Sequence, residues 1–171
     1  MASSLCVSAD LAVTPEELFK AWLDGAIHAA FTESAAKCVA RVGCKFSAWD
    51  GYITGKNLEL QNPSRIVQSW RTTDFAASDA DSRLEILLDP IEGGTHITLH
   101  HTELPDGEAP RYLEGWEEFY FVPMRNYFGQ LAKPKKSAAT KKPVATKKST
   151  PKMSAPAAKK TPAKKATKAK S

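Results

Sequence analysis

Cysteine is scarce in this 171-residue chain, and its three copies, Cys6, Cys38 and Cys44, show no Cys-x-x-Cys spacing. An odd number without a secretory leader excludes a disulfide framework and favours a reducing, cytoplasmic setting. Long apolar runs are missing as well. No stretch reaches the roughly 18 residues a membrane helix needs, so no membrane insertion is expected. The opening MASSLCVSAD lacks the basic flank and continuous apolar stretch of a signal peptide. Acidic, arginine and aromatic residues are all absent after residue 132.

That last absence divides the chain. Fourteen of the 24 basic residues, every one a lysine, fall in 133–171 without a single acid, while residues 1–132 hold the other 10 against all 19 acidic residues. The body therefore carries −9 and the tail +14, an asymmetry hidden in the net charge of +5. Lysine doublets spaced by Ala, Pro, Ser and Thr cannot bury apolar surface and repel one another, so the reading is a folded domain over 1–132 and a disordered tail over 133–171. Lys135, Lys136, Lys141, Lys142, Lys147, Lys148, Lys159, Lys160, Lys164 and Lys165 are its polyanion-binding residues. With no arginine and no aromatic, base readout and stacking are excluded, and sequence-independent contact with nucleic acid phosphates is expected. Such contact would add a nucleoid or chromatin association to the cytoplasmic location.

The body reads as strand, two short helices, a run of antiparallel strands and a long helix. Residues 5–13 form the opening strand. Thr14 caps the first helix, Pro15 takes its first position, Glu17 closes a capping box, and Val13 with Leu18 makes the staple. Leu18, Phe19, Trp22 and Leu23 follow at helical spacing before Asp24 and Gly25, and a second helix covers 26–33. The period then changes to two. Cys44, Phe46 and Ala48 alternate into a two-residue turn at Asp50 and Gly51, ahead of Tyr52 and Ile53. Further strands are expected at 56–60, 66–72, 82–89 and 95–102, punctuated by Asn62-Pro63-Ser64 and Gly93-Gly94. Residues 111–131 return to helical spacing with a broad aromatic face. Pro123 predicts a kink there and Gly115 a close approach to the sheet.

In that order the strings TPEELFKAWLD, FSAWDGYITGKNLEL, RIVQSWRTTDF, GGTHITLHHTELP and GWEEFYFVPMRNYF resemble the activator of heat-shock protein 90 ATPase homologue family, within the START-like or SRPBCC superfamily. The resemblance spans nearly all of 5–131. It implies an α+β helix-grip fold, in which a curved antiparallel sheet wraps the long C-terminal helix around an apolar cavity. It also implies a heat-shock protein 90 type chaperone as partner. The co-chaperone that names the family carries an additional N-terminal domain and a short Asn- and Trp-bearing motif, whereas this chain starts at the START-like strand. The tail strings KKPVATKK, STPK and KKTPAKKATKAK look like those of linker-histone-type tails.

No nucleophile elbow and no glycine-rich phosphate loop is present, so no catalytic residues and no cofactor are expected. His96 and His100 share a strand face but stand roughly 13 Å apart, His101 points the other way, and His28 stands alone, so no metal site is expected. His101 is in phase with Ile97 and Leu99: it is either a hydrogen-bonded core histidine or a polar group in a ligand cavity. Trp22, Phe46, Trp49, Trp70, Trp116, Phe119 and Tyr120 either fill a core or line a pocket. The ligand-pocket residues read from the sequence are Trp22, Phe46, Trp70, Arg71, His101, Trp116, Phe119 and Tyr120. The pocket is placed between the concave sheet and the helix near Arg111, with Trp116, Tyr120 and His101 on its wall. Arg71 is out of phase with Trp70 and joins only if the strand twists it inward. The leading expectation is a non-enzymatic binding module for a small apolar molecule, with a polyanion-binding tail. The second is a co-chaperone that acts on a heat-shock protein 90 type ATPase. The third is an enzyme of the cyclase or hydrolase kind found in the wider superfamily.

Overall fold

The structure, a computed structural model, describes residues 2–132. Residues 133–171, with the ten polyanion-binding lysines, lie outside the described residues. Strand β1 (Ser3–Leu11) leads into α1 (Pro15–Leu23) and α2 (Gly25–Thr32). Strands β2 (Lys45–Ala48), β3 (Ile53–Gln61), β4 (Arg65–Thr72), β5 (Ser82–Ile91) and β6 (Gly94–Leu104) follow. A helical run closes the domain as α3 (Ala109–Trp116), a π-helical turn (Glu117–Phe121) and α4 (Val122–Ala132).

Local chemistry sets the helix boundaries. The Thr14 side chain accepts from the Glu17 N–H at 3.3 Å and the Glu17 carboxylate accepts from the Thr14 N–H at 3.4 Å, which completes the capping box. Asp24 ends α1 in an extended conformation and caps α2, accepting from the N–H groups of Ala26 and Ile27 at 2.9 and 3.2 Å. One aspartate thus makes the corner between the two helices.

The six strands form one antiparallel sheet in the order β1-β6-β5-β4-β3-β2. The first strand returns to pair with the last, so β1 closes one edge and β2 the other. Inward residues alternate through Leu84, Ile86 and Leu88 on β5 and Ile97, Leu99 and His101 on β6, each at most 2 % exposed. They pack against α1 and the C-terminal helical run in a single core. This is the helix-grip fold.

Three local expectations need correction. Residues 53–61 form one strand rather than two, because Gly55 is kept within it by packing: a Cβ there would stand 1.9 Å from the Ser69 carbonyl oxygen and 2.7 Å from the Phe46 ring. The β2–β3 turn uses four residues, with Trp49, Asp50 and Gly51 all at positive φ (52°, 53° and 85°). The C-terminal helix is not one kinked α-helix. Pro123 supplies no N–H and crowds the carbonyl of Phe119, and the π-helical turn at 117–121 absorbs that misfit without breaking the run.

Candidate functional site

The inner layer of the site is a set of buried polar side chains with matched partners. His101, fully buried on β6, accepts at Nδ1 from the Trp116 indole at 3.3 Å. Its Nε2 then carries the proton and donates to Ser82 Oγ at 2.8 Å, and Ser82 donates on to the Trp70 carbonyl at 2.8 Å. The ring is neutral, its pKa driven down to about 3 by burial. His28 donates from Nδ1 to the Trp22 carbonyl at 3.0 Å and meets the Tyr120 hydroxyl at 3.4 Å with Nε2. Burial lowers its pKa to about 4, against a smaller upward pull from the Trp22 carbonyl. A second relay runs from Trp22 Nε1 to Gln68 Oε1 (3.0 Å) and from Gln68 Nε2 to Asn57 Oδ1 (2.7 Å). Asn57 donates in turn to the carbonyls of Val39 and Arg41 at 2.8 and 3.2 Å, tying the 33–44 loop to the sheet.

Above this layer a partly open cavity of about 590 Å³ lies between β3–β4 and α3. Trp70, Trp116 and Tyr120 form its floor; their rings pack at 5.1 Å (Trp70 to Trp116) and 4.9 Å (Trp116 to Tyr120) between centroids. Trp49 and Phe119, edge to face at 5.5 Å, make one wall. Tyr112 and Thr72, hydroxyl to hydroxyl at 3.1 Å, make another, and burial pushes the Tyr112 phenol up to about 12. At the mouth, Tyr52 donates to Asp74 at 2.5 Å, and Arg111 bridges Asp74, Tyr52 and Glu108. The Tyr52 hydroxyl first, and Arg111 second, hold the Asp74 carboxyl below its usual range. Gly115 also opens onto the cavity. A Cβ there would meet only the Phe119 ring, at 3.8 Å, so this glycine marks open space over the helix rather than the expected contact with the sheet.

Two polar atoms stand out in this setting. The indole N–H groups of Trp70 and Trp49 are buried and have no hydrogen-bond partner. Trp49 Nε1 is near enough to the Tyr120 hydroxyl to offset slightly the strong upward shift that burial imposes on that phenol, yet it lacks hydrogen-bonding geometry. A buried donor left unpaired costs about 1–3 kcal/mol.

The structure brings Trp70, Trp116, Phe119 and Tyr120 together on the cavity. Trp22, Phe46 and His101 lie behind it: Trp22 stacks on Tyr120 at 5.3 Å, Phe46 packs on Trp70 at 5.8 Å, and His101 sits against Trp116 at 5.6 Å. Each is turned into the core, where the relays hold the Trp22 and His101 polar atoms. Arg71 does not reach the cavity. It points outward over Phe75 and donates to the carbonyls of Ala76 (2.7 Å) and Asp79 (2.8 Å), which pins the 73–81 loop. Tyr112 could have been found from sequence, one helical turn before Trp116 and two before Tyr120. The Asp74–Arg111 pair, 37 residues apart, carries no sequence signal.

Sheet, gripped helix and the cavity between them define the class as START-like. Residues 12–129 match the family described as Activator of Hsp90 ATPase homolog 1-like protein. The chain belongs to that family. It is 28 % identical over 120 residues to the human activator of 90 kDa heat shock protein ATPase homolog 1, a match that spans 70 % of this chain and 35 % of the human protein. The chain thus spans about a third of the length of the curated relatives it matches. A solved structure of an HSP90 activator from Plasmodium falciparum superposes with a TM-score of 0.68 at 27 % identity, covering 74 % of this chain and 96 % of that one. The Aha1 dimer from Colwellia psychrerythraea shares the fold at 12 % identity, with a TM-score of 0.64 over 74 % of this chain and 96 % of that one. Among the described residues no helix is long and apolar enough to cross a membrane.

Proposed function

We propose that the domain binds a heat-shock protein 90 type chaperone and stimulates its ATPase cycle. One observation carries this reading. The Plasmodium falciparum chain described as an HSP90 activator is matched over 96 % of its length at 27 % identity, so a solved chain of that description coincides with this domain almost end to end. That favours the second reading raised from the sequence over the first. No nucleotide site of the domain's own is required: a protein that binds one conformation of an ATPase more tightly shifts the population toward it, by no more than the difference in affinity. The body, at net −9, is the expected docking surface, and its charge would steer a partner surface of opposite sign toward it. The test is a steady-state ATPase assay of a purified heat-shock protein 90 with the full chain titrated to stoichiometry and beyond, alongside calorimetry. Saturable stimulation with matching binding is the expected result. Binding that leaves turnover unchanged would refute activation, and no binding at tens of micromolar would refute the partner.

The tail adds a second element to the reading. Fourteen lysines without an acid make 133–171 a nonspecific polyanion anchor that concentrates the domain on nucleic acid.

A further inference from the structure

The net charge of the body is not spread evenly over it. Residues 37–58 hold four basic residues, Lys37, Arg41, Lys45 and Lys56, and one acid, Asp50, whereas the rest of 1–132 holds six basic residues against 18 acids. Each of the five arginines outside that segment is ion-paired with an Asp or Glu. Among the described residues none of the four basic side chains inside it meets a carboxylate, and Arg41 donates instead from Nε to Cys44 Sγ at 3.0 Å. Lys20, on α1, is unpaired as well and lines a surface groove with Lys37 and Lys45. Glu16 and Asp24 also line that groove, but Asp24 is committed to capping α2. The unpaired cations of an acidic domain are thus gathered in one place.

Sheet register makes that grouping costly. Lys45 and Lys56 are directly opposed on β2 and β3, which sets their Cβ atoms about 5 Å apart on one face and makes the pair repulsive. Ser47, two residues along β2 on that face, exchanges both main-chain hydrogen bonds with Lys37 at 2.8 and 2.9 Å, so Lys37 joins the same face. Main-chain bonds from Gly43 and to Cys44, both with Asn57 (2.8 and 3.0 Å), bring the chain at Val42 alongside Leu58. Val39, Val42 and Leu58 are 61 %, 57 % and 39 % exposed. Scattered singly they would be ordinary, but the two valines alternate with unpaired cations along a loop that Asn57 anchors. We propose that this face of 37–58 docks an extended acidic segment of a partner protein. Its Asp and Glu side chains pair with Lys37, Arg41, Lys45 and Lys56, and its apolar side chains cover Val39, Val42 and Leu58. A nucleic acid fits less well: a continuous polyanion would run on to the acidic remainder of the body, and its phosphates would leave the three apolar side chains uncovered. The surface is separate from chaperone stimulation and is tested without a chaperone.

The probes are synthetic peptides of about ten residues. One alternates Glu or Asp with Val or Leu, one alternates the same acids with Ser, and one alternates Lys with Val or Leu. Each is titrated into the full chain, and affinity is taken from the 15N–1H amide shifts of Val39, Val42 and Leu58, so that attraction of acidic peptides to the lysines of 133–171 does not enter. The acidic, apolar peptide shifts these amides and binds there about tenfold more tightly than the Ser peptide, while the Lys peptide leaves them unmoved. Lys56→Glu weakens that binding by about tenfold or more, yet its urea midpoint holds or rises because the repulsive pair with Lys45 becomes attractive. Val42→Ser narrows the gap between the two acidic peptides. Shifts absent from these amides, equal affinity for the Ser peptide, binding unaffected by Lys56→Glu, or a short duplex that shifts the same amides at lower concentration than the peptide would overturn the proposal.

Discussion

Acidification should unfold this domain earlier than its carboxylates alone would suggest, because two neutral imidazoles are built into the core. In the folded state His28 and His101 titrate at about 4 and about 3, while an unfolded histidine titrates near 6.5. Between those values the unfolded chain binds protons that the folded chain refuses, so stability rises with pH and is lost as pH falls from about 6.5. At about pH 5 each histidine contributes a loss of about 2 kcal/mol relative to about pH 7, roughly 4 kcal/mol together. That is a large part of the 5–15 kcal/mol available to a typical domain. Glu59 and Asp74 act in another window. Their lowered pKa values begin to cost stability only as pH falls below the ordinary carboxylate values of 4.5 and 3.8.

Urea unfolding of the full chain measures the effect. With a slope of about 2 kcal/mol per molar, a 4 kcal/mol loss moves the midpoint down by roughly 2 M between about pH 7 and about pH 5. The imidazole Cε1–H resonances of His28 and His101 should meanwhile hold the neutral shift across that interval. A midpoint that stays constant or rises, or either ring gaining its proton near 6.5 in the folded protein, would refute the assignment of the two rings as buried neutral groups.

Gln68→Leu leaves the Trp22 indole and Asn57 Oδ1 without their partner, and should cost about 2–4 kcal/mol in a denaturant melt while Asn57 keeps its hold on the 33–44 loop. For the tail, fluorescence anisotropy with two unrelated duplexes should show weak, sequence-blind binding. Its log affinity should fall linearly with log salt, by about 0.9 per lysine engaged; a truncation at Ala132 that binds as well as the full chain would refute the tail as the binding element.

The fold was readable because its signals are local. Thr14-Pro15-x-Glu17 starts a helix wherever it occurs before an apolar stripe, and Ile97, Leu99 and His101 announce a buried face by period alone. What escaped depends on contacts remote in sequence. A glycine weakens an isolated strand, and only Phe46 and the Ser69 carbonyl, remote in sequence, make Gly55 obligatory within β3. Phase gave Trp70, Trp116 and Tyr120 correctly as inward residues but could not say which side of them is packed and which is open. Trp49 reaches the cavity from a turn of positive φ, a conformation its own side chain does nothing to announce.

Hydrogen bonding distinguishes the two buried indoles Trp116 and Trp70, and phenylalanine substitution can read it out. In Trp116→Phe the His101 Nδ1 acceptor loses its donor inside the core, so the unpaired nitrogen adds about 1–3 kcal/mol to the cost of the smaller ring. In Trp70→Phe the lost N–H had no partner, so the relief of an unpaired donor offsets part of the lost ring contacts with Phe46, Trp116 and Tyr120. The two rings bury similarly, each 2 % exposed, so the packing losses largely cancel in the comparison. Trp116→Phe should therefore be the more destabilising by about 2 kcal/mol in urea melts at neutral pH. At acid pH it should lose part of that excess, because an unpaired Nδ1 accepts a proton more readily than one that Trp116 occupies. Equal costs, or a larger cost for Trp70→Phe, would mean that the Trp70 N–H has a partner after all.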